Sequence, residues 1–270
     1  MATHEPSNTD AEAHALRAQL RSWFALPLGR SLQAIEAHRL RALWPPLYGN
    51  VALQVGQVGP VDLMEACTAR TRLVLDLPGF SAPANTSAVY AAADALPLDS
   101  RSVDMVLLPH TLEFSADPHR VLREVQRVLT PEGHVAILGF NPLSLWGLWR
   151  LALGRRDRAP WCGHFIHLVR IKDWLKLLGF QLVQGQMLYY RPPLSNEALM
   201  DRLYFLDKTG DRWWPMAGAA YIVVAKKQVM AMTPLRPAWR ARPVLGHALA
   251  QPARRVIPFP KVPWPNRGPG

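Results

Sequence analysis

Short apolar runs alternate with amphipathic stretches through the middle of the chain, which is the pattern of strands connected by helices. The run 103–108 is too short for a helix and is typical of a buried strand. Asp117 and Pro118 then predict a helix start, and apolar residues recur on one face of the turns that follow. A turn over 130–133 and a second apolar run over 134–139 complete a strand–helix–strand unit.

Two strands joined by a crossover helix of this length pair in parallel, and the connection is right-handed. Parallel sheets are covered on both faces, so the unit predicts a layered α/β domain. Such sheets bind ligands beyond the carboxyl ends of their strands. We therefore expect a binding site formed by residues 94–98, 109–113 and 140–144.

The same periodicities predict the other elements. Further strands are expected at 51–56, 72–77, 89–93, 180–189 and 219–225, and helices at 11–24, 31–44, 60–69, 172–178 and 196–206. Pro27 to Gly29 should separate the first two helices. The segment after Asp76 is too short and too rich in proline for a crossover helix, so we expect a loop there.

Composition narrows the class of protein. The chain has 270 residues, 49% of them hydrophobic, which suits one domain with extensions. Its two cysteines predict no disulfide framework and favour a cytoplasmic location. The polar N-terminus does not resemble a signal peptide, and no uncharged apolar run reaches the roughly 18 residues that a membrane span needs.

The net charge of +11 is concentrated at the C-terminal end. Residues 226–270 hold nine of the 31 lysines and arginines and no Asp or Glu. We expect a disordered start over 1–10 and a disordered, basic, proline-rich tail over 228–270. The tail contains Trp239 and Trp264, and weak contact with nucleic acid or an anionic membrane is the alternative to plain solvation.

Four motifs of the central segment resemble one known family. They are DALPLDSRSVDMV, TLEFSADP, LREVQRVLTPEG and HVAIL, in that order between Asp94 and Gly139. They resemble class I S-adenosylmethionine (SAM)-dependent methyltransferases, type 11, the branch with ubiquinone- and menaquinone-biosynthesis enzymes. The resemblance implies a seven-stranded Rossmann-like sheet with strand seven antiparallel and helices on its flanks. The domain would span 11–227, with 11–45 as an N-terminal helical extension and 141–170 and 191–214 as lid or insertion segments.

The resemblance implies SAM as the cofactor, and its glycine-rich loop corresponds to residues 54–60. Gln54 stands where the family has an acid, and Gly56 matches a glycine. Val58 and Pro60 replace two further glycines, so the motif is degenerate. In the family the following helix directs its N-terminus at the cofactor's carboxylate.

The other implied cofactor contacts follow the next strands. Asp76 would accept the hydroxyls of the ribose. Asp94 would lie near the amino group of the adenine, and the backbone N–H of Ala95 would meet the ring. Pro109, at the end of strand four, completes the predicted set.

Methyl transfer from a sulfonium is an in-line displacement, which needs positioning more than acid–base chemistry. His110 and Glu113 follow strand four and are the candidate catalytic residues, with a structural loop histidine as the alternative. Strand four is not followed by the Asn/Asp-Pro-Pro-aromatic motif, which argues against amino groups of bases or glutamine as acceptors.

Cys162, His164 and His167 lack a fourth ligand nearby, so no metal is predicted.

The predicted function is therefore methyl transfer from SAM to a small-molecule acceptor that is small or lipophilic. Trp146, Trp149 and Trp161 in the lid segment favour a flat or lipophilic acceptor, although packing of the lid explains them equally well. A non-catalytic interaction module and a nucleic-acid-associated methyltransferase that uses the basic tail are alternatives. A NAD-binding protein is a further rival, against which the Asp94-Ala-Leu-Pro stretch and the antiparallel seventh strand weigh.

Overall fold

The computed structural model describes residues 8–228 except 44–48, 154–157, 195–199, 201 and 215. Its centre is one seven-stranded sheet in the order β3-β2-β1-β4-β5-β7-β6. The strands are β1 (Val51–Val55), β2 (Thr71–Asp76), β3 (Ser87–Tyr90), β4 (Val103–Pro109), β5 (Leu129–Phe140), β6 (Phe180–Leu188) and β7 (Ala220–Lys227). The first five strands pair in parallel, and β7 is antiparallel to β5 and β6. This topology confirms the predicted fold.

Helices cover both faces of the sheet. They are α1 (Asn8–Phe24), α2 (Pro27–Leu43), α3 (Pro118–Val128), α4 (Leu145–Leu153), α5 (Leu168–Leu177) and α6 (Phe205–Trp213). Apolar side chains of α1, α2 and α4 pack on one face, and those of α3 and α5 pack on the other. Alternate residues of the central strands point into the two cores, as in Leu107 and Leu108, so the central strand β4 is buried on both faces.

Several boundaries differ from the sequence prediction. Helix α1 begins at Asn8, within the start expected to be disordered, and Pro27 is the first residue of α2 rather than part of a break. Proline is well suited to that first position because it has no N–H to leave unpaired. Residues 1–7 and 229–270, and with them almost all of the predicted tail, lie outside the described residues. Five of the eleven residues of the predicted helix 196–206 fall on such residues, and α6 begins within its predicted end, at Phe205.

The helix predicted over 60–69 is wrong. Residues 57–70, all of them described, form turns. The Gln33 side chain of α2 donates to the Val61 carbonyl and accepts from the Val61 N–H, and Asp62 accepts from the Met64 N–H. Side chains thus bond backbone groups of this segment in an arrangement other than the internal pairing of a helix. The loop after β1 therefore leads into turns and presents no helix N-terminus.

The turn predicted over 130–133 lies inside β5. The pairing of β4 with β5 shifts register between Val103 and Met105, and Glu132 has a φ of 67°. The extra residues of β5 form a bulge, which accommodates the proline and glycine without ending the strand. The Asp104 carboxylate anchors this bulge and the start of β1. It accepts from the N–H groups of Asn50 and Val51 and from the Thr130 hydroxyl.

Among the described residues, the helices are too short or too polar to cross a bilayer.

We predict that Asp104→Ala lowers the free energy of unfolding by about 2 kcal/mol or more, because three hydrogen bonds to a charged acceptor are lost together. Urea denaturation followed by circular dichroism measures the change. Asp99→Ala, at an exposed turn, is the matched control and should change stability by less than about 0.5 kcal/mol. Equal losses in the two variants would contradict an anchoring role for Asp104.

Candidate functional site

One cavity of about 270 Å³ lies at the carboxyl edge of the sheet. Three of the predicted cofactor contacts line it together: Gly56 after β1, Asp76 at the end of β2, and Asp94 after β3. Its volume is just below the roughly 300–1,000 Å³ of typical small-molecule pockets. Val58 is not among the lining residues; its side chain is fully buried in the core that faces α1 and α2. The substitution of a glycine by Val58 therefore leaves the cavity open.

Asp76 is the most heavily bonded group of the cavity. One carboxylate oxygen accepts from the Gln57 N–H at 2.8 Å and lies 3.3 Å from Arg21 Nη1. The other accepts from the Leu77 N–H at 2.8 Å and lies 3.6 Å from Arg17 Nε. The side chain is almost fully buried, so these charged and backbone donors offset the loss of water around it.

Arg17 and Arg21 reach this edge from α1 and were missed by the sequence prediction. They lie four residues apart on one face of the helix, whereas Leu20 and Phe24 of the same helix enter the core. The Arg17 guanidinium packs against the backbone of Gly56, where a Cβ would overlap Arg17 Nη2. The signal in the sequence was a pair of arginines beside the apolar positions of an amphipathic helix.

Two side-chain amides hold the glycine loop in addition to the Asp76 carboxylate. Gln54, at the position of the family's acid, donates to the Gly56 carbonyl at 3.0 Å and to the Gln57 side chain at 2.7 Å. Gln57 in turn donates to the Gly59 carbonyl. Gly56 has a φ of 94°, which a side chain would strain. Gln54 is buried and does not line the cavity, so its observed contacts support the loop.

Of the remaining predicted cofactor contacts, one lines the cavity and the others do not. Asp94 lines the cavity and lies 3.5 Å from Arg120 Nε of α3. The Ala95 N–H donates to the Ala92 carbonyl at 3.2 Å, so in this conformation it is already paired. Pro109 is buried at the end of β4 and does not line the cavity.

His110 and Glu113 belong to a buried cluster outside the cavity. His110 Nε2 lies 2.8 Å from a Glu36 oxygen on α2, and Nδ1 lies 3.1 Å from a Glu113 oxygen. The other Glu113 oxygen accepts from the Phe140 N–H. All three titratable side chains are essentially without solvent exposure, and neither His110 nor Glu113 lines the cavity.

The charge of His110 follows from these partners. Burial lowers the pKa of the imidazole, but Glu36 and Glu113 outweigh it and raise the pKa to about 9. Burial raises the pKa of Glu113, and its hydrogen bond to His110 opposes the rise. At neutral pH His110 is an imidazolium with both N–H groups engaged, so it has no lone pair with which to accept a proton. The contacts of His110 are those expected of the alternative, a structural histidine in a loop.

The lid segment packs tightly around Trp146. Its indole N–H donates to the Arg191 carbonyl, and its ring contacts Trp23, Phe140, Trp161 and Tyr189. The opposite side of α4 is apolar and exposed: Leu145, Leu148, Trp149 and Leu151 all reach solvent. In the described part of the chain, no three His, Cys, Asp or Glu side chains converge as a metal-ligand set.

The His110 cluster makes stability depend on pH. Because the pKa of His110 rises from 6.5 to about 9 on folding, about 3 kcal/mol of stability is present below pH 6.5 and lost as the pH rises through 9. Urea denaturation at pH 6.5 and pH 9.5 should show this fall, and His110→Gln should show a smaller one. The exposed His119 provides the control, and His119→Gln should fall like the wild type. The same fall in all three proteins would exclude His110 as its source.

Residues 49–137 match the family described as "Methyltransferase domain". An uncharacterized protein of Escherichia coli, YafS, is 28% identical over 211 residues, which cover 78% of this chain and 82% of YafS. A demethylmenaquinone methyltransferase of Chlamydia pneumoniae is 34% identical over 89 residues, 33% of this chain and 34% of that protein. The structure of a SAM-dependent methyltransferase from Thermotoga maritima has a TM-score of 0.54 at 17% identity and covers 77% of this chain and 93% of its own. This structural likeness concerns the fold.

Proposed function

We propose that residues 49–137, which match a methyltransferase domain, belong to a SAM-dependent enzyme that transfers the methyl group of SAM to a small-molecule acceptor that is small or lipophilic. The observation that carries the proposal is the one cavity lined by Gly56, Asp76 and Asp94. These residues follow three neighbouring strands, β1, β2 and β3, at the edge where such sheets bind nucleotides.

The polar and apolar groups along the cavity are arranged in an order that suits an adenosyl group. Asp94 and Asp76 supply carboxylate acceptors for amino and hydroxyl donors, and Ala91 to Ala93 form an apolar wall between them. Asp76 already bonds the loop and both arginines. A ribose hydroxyl at Asp76 therefore requires Arg21 to move away from the carboxylate oxygen that it contacts, and 17% of the Arg21 side chain is exposed.

SAM supplies an electrophilic methyl group on its sulfonium. The residues of this chain bind and orient the two reactants and exclude water from the site. Protonated His110 connects α2 to the end of β4 through its contacts with Glu36 and Glu113. Because it is already protonated, it takes no proton from the acceptor. The acceptors that fit this arrangement are carbanion-like rings, thiolates and free amines, which arrive as nucleophiles and need no base.

The exposed side of α4 supports a lipophilic acceptor. Helix α4 follows β5 at the same carboxyl edge as the cavity and presents Leu145, Leu148 and Leu151 to solvent. Single exposed apolar residues are ordinary, but a contiguous apolar helix face marks a surface that meets apolar molecules.

A non-catalytic interaction module is the second candidate. Two observations favour it: residues 57–70 contain no helix to face the cofactor, and both oxygens of Asp76 are engaged by protein groups. Cofactor binding separates the two candidates, because only the enzyme requires it.

We predict that the purified protein binds SAM in isothermal titration calorimetry and that Asp94→Ala weakens binding by about tenfold or more, the loss of one hydrogen bond to a charged group. Asp173→Ala, on the exposed face of α5, is the matched control and should bind like the wild type. The absence of heat with wild-type protein at high micromolar concentration would leave the interaction module as the surviving candidate.

The acceptor class has a direct test. Incubation of the protein and SAM with the lipid-soluble and the water-soluble fractions of a cell extract should yield, in the lipid-soluble fraction, a product heavier by one methylene. Mass spectrometry detects it, and a reaction without SAM is the control. A product found only in the water-soluble fraction would contradict a lipophilic acceptor.

A further inference from the structure

Arg17 is a buried cation with fewer partners than its chemistry demands. Its side chain is 8% exposed, yet among the described residues only one of its five N–H groups, on Nη2, donates to a protein oxygen, the Thr111 hydroxyl at 3.4 Å. Nη1 is buried and has no hydrogen-bond partner within that part of the chain. A buried guanidinium normally satisfies these donors, so the open ones are available to an anion.

The charges around Arg17 also leave room for an anion. Arg17 and Arg21 both approach Asp76, so two cations share one carboxylate at the end of β2. Burial lowers the pKa of Arg17, Asp76 opposes this, and Arg21 adds to the lowering. A second carboxylate at the free side of Arg17 would balance the charge and replace the missing hydrogen bonds.

The position of Arg17 along the cavity identifies which end of a cofactor it would meet. Asp94 follows β3, Asp76 ends β2 and Gly56 follows β1, in the spatial order of the strands. An adenine at Asp94 and a ribose at Asp76 direct the amino-acid end of the ligand towards Gly56. The Arg17 guanidinium lies against Gly56 and lines the same cavity.

Near Gly56 the backbone has few free N–H groups that could bind an anion. A helix N-terminus after the glycine loop would supply free N–H groups and a favourable dipole. In this chain turns follow the loop, Pro60 has no N–H, and the Gln57 N–H is used by Asp76. An anionic group bound at Gly56 therefore needs a cation from elsewhere in the fold.

We propose that Arg17 binds the carboxylate of the amino-acid end of SAM and so replaces the helix N-terminus that the loop after β1 lacks. The inference rests on the proposed function. It makes α1 part of the cofactor site, with the planar guanidinium receiving the carboxylate beside Gly56, whose missing side chain leaves space for the guanidinium. If Arg17 instead occupied the cavity and competed with the cofactor, removing Arg17 would strengthen SAM binding.

Calorimetry with SAM and decarboxylated SAM tests the proposal, since the two compounds differ only in the carboxylate. Wild-type protein should prefer SAM by about tenfold or more. Arg17→Gln should weaken SAM binding by about that factor and leave decarboxylated SAM bound as tightly or more tightly, because a repelling cation is gone. Arg17→Lys keeps the charge without the planar fork and should be intermediate. Binding of decarboxylated SAM also reports that each variant is folded at the site.

Arg21→Gln is the matched control because Arg21 contacts Asp76 but does not line the cavity. It should alter both affinities by the same factor and so keep the preference for SAM. An unchanged preference in Arg17→Gln, or tighter SAM binding by that variant, would overturn the proposal. Equal wild-type affinity for both compounds would overturn it while the proposed function stands. Wild-type binding of neither would remove the proposed function itself.

Discussion

The carboxylate of Asp76 is the point on which the arrangement of the site depends. It ends β2, bonds the loop after β1 through the Gln57 N–H, and faces Arg17 and Arg21 of α1. A buried carboxylate is costly to desolvate, so hydrogen-bond donors and cations must surround it. That requirement brings the N-terminal helix, the glycine loop and the sheet edge to one place. The cavity is the space left among them.

A second buried charge cluster fixes the other N-terminal helix. Glu36 of α2 reaches His110 after β4, and His110 reaches Glu113, whose second oxygen holds the Phe140 N–H at the end of β5. His110 has a φ of 48°, a backbone conformation rare for a residue with a side chain. Strain of this kind persists where surrounding bonds enforce it, and here two carboxylates do so. The N-terminal helices are therefore bonded to the edge where the cavity lies as well as packed on the sheet.

The fold could be predicted from the sequence because buried parallel strands are short apolar runs and α3 has a clear start at Asp117 and Pro118. The helix at 60–69 could not be excluded in this way, because long-range bonds from Gln33 decide that segment. Likewise the sequence indicated Gly56, Asp76 and Asp94, which lie at or shortly after the ends of strands. Arg17 and Arg21 come from a helix distant in sequence, and only the three-dimensional structure brings them to Asp76.

A crystal structure of the protein with S-adenosylhomocysteine tests the account most directly, because that compound keeps the adenosine and the carboxylate. The account predicts adenine beside Asp94, ribose hydroxyls on Asp76 with Arg21 turned aside, and the carboxylate within hydrogen-bond distance of the Arg17 guanidinium. A ligand whose carboxylate lies away from Arg17, or Arg17 displaced from the cavity by the ligand, would contradict it.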